Sequence, residues 1–189
     1  MKKVKTYLMM ALFGMILMGA FNTKASAARR FQMTRYEGHV YIRVDKNMKW
    51  TTADRLARSC GGHLVTINSY GEQKVVNNLI RGGCKNTYWM GGVIKNGRMR
   101  WSNGERVNYY NWTNFRYSSY FKSQTSYMQL TRNANPYHYQ KNYFGKWTCM
   151  YNNNTYRGQK KYWSASKVGI VIEFDSRCSI RTINRMRRW

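Results

Sequence analysis

Between Arg106 and Ile172 the chain holds ten Lys and Arg, seventeen aromatic residues and nine Asn, but no Asp or Glu. This mixture suits adhesion rather than bond chemistry. Tyr and Trp present flat faces with a polar edge and lose little rotamer freedom on contact. Asn amides can donate to and accept from hydroxyls. Lys and Arg attract carboxylate, sulfate or phosphate. Together they fit an anionic polysaccharide or cell-surface polymer. The contact residues expected on this reasoning are Arg116, Tyr117, Lys122, Lys141, Tyr143, Lys146, Lys160 and Lys161. Most of the remaining rings are expected to pack the segment's own core. A surface that serves only solubility mixes both charge signs, and this segment does not.

Other chemistries find few residues. The chain has no Gly-rich phosphate loop and no Gly-x-Ser-x-Gly. Glu173 and Asp175 are read onto opposite faces of a strand, so no carboxylate pair is expected to flank a glycosidic bond. His39, His63 and His138 lie far in sequence from Cys60, Cys84, Cys149 and Cys178, and no two Cys form C-x-x-C, so a zinc site is not expected. His63 is read as structural. Neither an enzyme nor a cofactor nor a metal is expected. The formal charge of +26 points to an anionic partner.

The elements that must position these residues are legible from patterning. Residues 1–27 read as an export signal: Lys2, Lys3 and Lys5, an apolar run from Tyr7 to Phe21, then Ala25-Ser26-Ala27. Export implies a secreted, extracellular chain in an oxidising compartment, where the four Cys can pair in three ways. Residues 28–35 read as a frayed arm and Tyr36 to Val44 as an alternating strand. Thr51 with Asp54 suggests a capping box opening a helix whose apolar face is Trp50, Ala53, Leu56, Ala57 and Cys60, stopped by Gly61-Gly62. Leu64, Val65 and Ile67 form a buried segment. Ser69-x-x-Glu72 caps a second helix that carries Val75, Val76, Leu79 and Ile80. Tyr88 to Ile94, Asn96-Gly97 and Arg98 to Ser102 read as a hairpin. Beyond long loops, Val168 to Phe174 is a closing strand. Residues 175–189 form a basic tail with Arg177, Arg181, Arg185, Arg187, Arg188 and Trp189.

The order of these motifs resembles the C-type lectin-like domain across residues 36–174. Trp50-Thr51-Thr52-Ala53 and Gly61 to Ser69 with Glu72 resemble its first half. Trp89-Met90-Gly91-Gly92 resembles its central strand, and Met99 to Gly104 its Trp-rich hairpin, with Met99 replacing a Trp. Tyr109-Tyr110-Asn111-Trp112 resembles the opening of its long loop region, and Gly169 to Phe174 its last strand. The resemblance implies an α+β fold with two short helices flanking small antiparallel sheets and a long loop region. It also implies departures. The family's usual bridge partners are replaced by Ala57 and Ile172, and a further Cys by Tyr127, so the four Cys must staple other places. Cys60 with Cys84 and Cys149 with Cys178 are the expected pairs. Sugar-binding members hold a loop calcium with a Glu-Pro-Asn or Gln-Pro-Asp loop and Trp-Asn-Asp. Here Trp147-Thr148-Cys149 or Trp163-Ser164-Ala165 stands in the latter place, and the only proline is Pro136. Calcium wants oxygen ligands with carboxylates among them, so that site is expected to be missing.

The expected function is therefore secreted, calcium-independent, lectin-like binding of an anionic glycan or cell-envelope surface. A protein partner, or contact of the basic tail with an anionic membrane, is the alternative. Nucleic acid is disfavoured by export and by the lack of a recognised motif.

Overall fold

The computed structural model describes residues 31–113, 125–132, 143–150, 168–175 and 179–187. The export signal, residues 28–30, Arg116, Tyr117, Lys122, Lys141, Lys160, Lys161 and Cys178 lie outside the described residues.

The chain opens with a hairpin, β1 (Phe31–Tyr36) and β2 (His39–Val44), joined at Glu37-Gly38. Both turn residues have positive φ, 46° and 84°, the geometry of a two-residue turn whose twist matches its strands. The expected arm is thus a strand from Phe31 onward. Its alternation is weak because it lies at the sheet edge and is largely exposed.

Helix α1 (Trp50–Ser59) buries Trp50, Ala53 and Ala57, the face that the spacing implied. Its cap is different. Lys49 is the N-cap and makes no side-chain bond, while Asp54 instead accepts from Arg58 and from Ser102 Oγ. β3 (His63–Leu64) leads to α2 (Tyr70–Arg81), where Ser69 Oγ accepts from the Glu72 amide as a capping box requires. β4 (Thr87–Lys95) turns through Asn96-Gly97 into β5 (Arg98–Trp101). A Cβ at Gly91 would lie 2.7 Å from the Leu64 carbonyl, which is why the central strand carries Gly there. Then come β6 (Ser126–Thr131), β7 (Trp147–Met150), β8 (Val168–Phe174) and α3 (Ile180–Arg187).

The described strands form one sheet in the order β1-β2-β8-β4-β6-β7, with β3 on β8 and β5 on β4. It is mixed rather than purely antiparallel, because β4 runs parallel to β8. One core cluster joins α2 to β4, β6 and β7 through Val76, Ile80, Met90, Met128 and Trp147. A second joins α1 to β2 and β8 through Ala53, Ala57, Ile42, Ile170 and Ile172. Ala57 and Ile172, the positions without the family's bridge, are both fully buried in that second cluster and fill the space by packing.

A buried ion pair locks the end of β2. Arg43 Nε lies 3.3 Å from Asp45 Oδ1, and Arg43 Nη1 donates to the Leu79 carbonyl at 2.7 Å. Asp45 also accepts from the Tyr88 hydroxyl and the Cys84 amide. Breaking one partner of such a pair strands a charge in the interior.

The expected Cys60–Cys84 bridge is not formed. The two helix ends sit at opposite ends of β8. Gly62, beside Cys60, abuts Phe174, whereas the Cys84 amide binds Asp45 just beyond the Val44–Ile170 pair. Four strand residues separate those levels by about 13 Å, well beyond the Cα separation of about 4.4–6.8 Å that a disulfide spans. The other expected pair, Cys149 with Cys178, involves a position outside the described residues.

The basic tail is a helix in part. Ile183 and Met186 of α3 pack on the second cluster, and Met186 is buried. Met186→Ala is expected to lower unfolding free energy by about 2 kcal/mol, as for a core truncation with partial collapse, measured by urea denaturation. An unchanged midpoint would mean that α3 does not dock.

Candidate functional site

The loop region is built on Trp147. Its indole is fully buried and meets three rings edge-on: Trp101 at 5.7 Å, Tyr109 at 5.7 Å and Trp112 at 5.8 Å between centroids. Edge-to-face contact suits the ring quadrupoles. Its Nε1 donates to Gln73 Oε1 of α2 at 2.7 Å, and Gln73 Nε2 donates to the Gly145 carbonyl. The Trp147 amide donates to the Asn111 carbonyl, and the Thr113 amide donates to the Trp147 carbonyl. Asn111 Nδ2 also donates to the Gly145 carbonyl, at 2.9 Å. One strand residue therefore fastens a helix, a hairpin and both flanks of the loop region.

Of the expected contact residues, two fall within the described structure. Lys146 is half-buried, with Nζ donating to Asn111 Oδ1 at 2.6 Å. An ammonium keeps two further N–H groups for a ligand. Tyr143 is 6% exposed and packs inside, so it is corrected from a contact residue to a core residue. Its carbonyl accepts from the Lys146 amide, closing a turn that leads into the strand of buried Trp147.

In the strand that would carry a Trp-Asn-Asp, Trp147 is core and Thr148 half-buried, and Cys149 is buried with its thiol pushed up to about 11 by burial. None of these supplies a carboxylate.

Patterning did not single out the exposed rings that flank this base. Tyr70 is 68% exposed and Tyr110 60% exposed. Lys74 Nζ stands 5.8 Å from the Tyr70 ring centroid. Burial, then the Tyr70 phenol, raise the Tyr109 phenol above its ordinary value. The signal was available: Tyr70 and Lys74 are spaced i, i+4 on the face of α2 away from Val76 and Ile80.

A second grouping was also missed. His39, His63, Glu173 and Asp175 meet at the end of β8. The expectation that Glu173 and Asp175 diverge misapplied strand alternation, because residues two apart share a face. Burial works against a charged His63, but the hydrogen bonds to Asp175 and to the Leu64 carbonyl and the charge of Glu173 outweigh it. The imidazole is held above its ordinary range.

Among the described residues no helix is long and apolar enough to cross a membrane.

The sequence of residues 46–156 matches the Lectin C-type domain. The chain is 32% identical over 109 residues to one of the chains of the snaclec coagulation factor IX/factor X-binding protein of Protobothrops flavoviridis, covering 53% of this chain and 72% of that one. In structure it resembles human lithostathine, with a TM-score of 0.58 and 23% identity over 75% of this chain and 87% of that one. It also resembles a calcium-independent type II antifreeze protein, with a TM-score of 0.55 and 18% identity over 75% and 89% of the two chains. The chain belongs to the C-type lectin domain family.

Proposed function

We propose that this chain is a secreted binding protein that recognises an anionic polysaccharide or cell-envelope polymer without calcium. The observation that carries the reading is how the loop base is held. Beside Trp147, the Lys146 ammonium donates to Asn111 Oδ1, and Asn111 Nδ2 donates to the Gly145 carbonyl. The Lys146 ammonium adds positive charge beside Trp147, and Trp147-Thr148-Cys149 offers no carboxylate of the kind a calcium ion prefers. The acid-free stretch from Arg106 to Ile172 extends the same positive character through the loops. Exposed Tyr70, with Lys74 over its ring, and exposed Tyr110 offer stacking faces, and Arg106 of the same acid-free stretch is exposed. Arg116, Tyr117, Lys122, Lys141, Lys160 and Lys161 remain proposed contacts. No catalytic role is assigned to any residue.

The likeness to a snaclec named for binding coagulation factors supports a second reading, a protein partner. The same exposed tyrosines would serve it, since Tyr anchors are frequent in protein interfaces. Membrane contact by the tail is weakened, because Ile183 and Met186 face the core.

The distinguishing experiment is retention on immobilised sulfated and carboxylated polysaccharides and on mannan, with and without chelator. Retention on the anionic matrices only, unchanged by chelation and reduced by salt, is expected. Lys74→Glu combined with Arg106→Glu should weaken it several-fold. Chelator-sensitive retention on mannan contradicts the reading, and a blank polysaccharide panel with a captured protein favours the second.

Trp147→Phe tests the base itself. It keeps a ring but leaves Gln73 Oε1 without its donor in the interior, at a cost of about 1–3 kcal/mol. The expected outcome is a folded protein with a lower denaturation midpoint and weakened polysaccharide retention. Retention equal to that of the unaltered chain would show that the loops do not depend on this residue.

A further inference from the structure

The register of β8 gathers four metal-ligating side chains on one face. In the β2–β8 pairing Val40 faces Phe174 and Tyr41 faces Glu173, so one step further His39 stands opposite Asp175. On the other side of β8, His63 of β3 faces Glu173. Directly paired residues share a face, as do residues two apart. The sheet therefore places His39, His63, Glu173 and Asp175 together by backbone geometry alone.

The distances agree. His39 Nδ1 lies 2.8 Å from Glu173 Oε1 and 3.8 Å from Asp175 Oδ1, and His63 Nε2 lies 2.8 Å from Asp175 Oδ1. Donor atoms around a tetrahedral zinc with bonds of about 2.0–2.1 Å stand roughly 3.3 Å apart, a spacing that these values bracket. His39, Glu173 and Asp175 supply three donor atoms within 4.8 Å of one another, and His63, Glu105 and Asp175 supply a second such set.

His63 braces Asp175 from the far side. Its Nδ1 lies 3.0 Å from the Leu64 carbonyl, which can only accept, so Nδ1 carries a hydrogen. Nε2 lies 2.8 Å from Asp175 Oδ1, a hydrogen bond that the protonated ring donates. Outer partners that orient a ligating carboxylate in this way are a regular feature of metal sites. Glu173 is similarly fixed, because Oε2 accepts from the Thr66 amide and hydroxyl and leaves Oε1 directed at His39. The surroundings are negative despite the chain's excess of bases. Four of its seven acidic residues, Glu72, Glu105, Glu173 and Asp175, collect here around Thr66 and Asn68. Access is open, since the Asp175 side chain is 65% exposed and that of His39 34%.

We propose that His39, Glu173 and Asp175, with water completing the shell and His63 holding Asp175 from outside, form a binding site for a divalent transition metal of the zinc class, separate from the loop base around Trp147.

Zinc titration followed by calorimetry and by thermal melting tests this. The unaltered chain is expected to bind one zinc ion and to melt at higher temperature with zinc than without it. His39→Asn and Asp175→Asn, both at partly exposed positions, should fold normally by circular dichroism and lose affinity by about tenfold or more. Affinity unchanged in both variants, or no zinc binding by the unaltered chain, overturns the proposal. So does zinc binding that survives these substitutions and disappears in Cys84→Ser.

Discussion

The fold depends on burying one indole at the point where four pieces of chain meet. Trp147 fills the space between α2, the β4–β5 hairpin and the start of the loop region, and its indole N–H is satisfied by Gln73. A buried polar atom without a partner is costly, so the position of Gln73 on α2 and that of Trp147 on β7 constrain each other. Gln73 in turn holds the Gly145 carbonyl, which Asn111 also holds. The loop base is thus an extension of the core. Long loops need such an anchor, because irregular backbone otherwise leaves its own polar groups unpaired.

Charge is divided as sharply as packing. The loop half carries bases without acids, while four carboxylates gather beside β3 and β8. A chain with a formal charge of +26 destabilises itself by repulsion, and concentrating its few acids in one place creates a local well for cations there. The remaining acids are structural or peripheral. Asp45 neutralises buried Arg43, Asp54 pairs with Arg58, and Glu37 turns the first hairpin.

Periodicity makes most of the scaffold legible in the sequence. Trp50, Ala53 and Ala57 on α1, the Ser69 cap and the Asn96-Gly97 turn follow from local physics that tertiary contacts reinforce. Other features depend on neighbours remote in sequence. β1 is an exposed edge strand whose partner supplies its order, and α3 is defined by two apolar residues docking on a distant cluster. The separation of Cys60 from Cys84 is set by the length of β8, which neither helix end encodes. In the candidate site, the basic and aromatic character of the loops was legible, whereas the burial of Tyr143 and the exposure of Tyr70 and Tyr110 depend on tertiary packing that residue type alone does not encode. The histidine and carboxylate grouping needed strand register, because His39 and Asp175 stand 136 residues apart in the numbering and meet only through β2–β8 pairing.

The proposed function requires that the protein's own side chains suffice, without calcium, to hold the loop base in place. Amide hydrogen exchange at Thr113, Gly145 and Trp147, compared in calcium and in chelator, tests it most directly, because these three amides donate hydrogen bonds in or beside the Trp147 network. Equal, strong protection in both conditions is the predicted result. Protection that collapses in chelator and returns with calcium would contradict it.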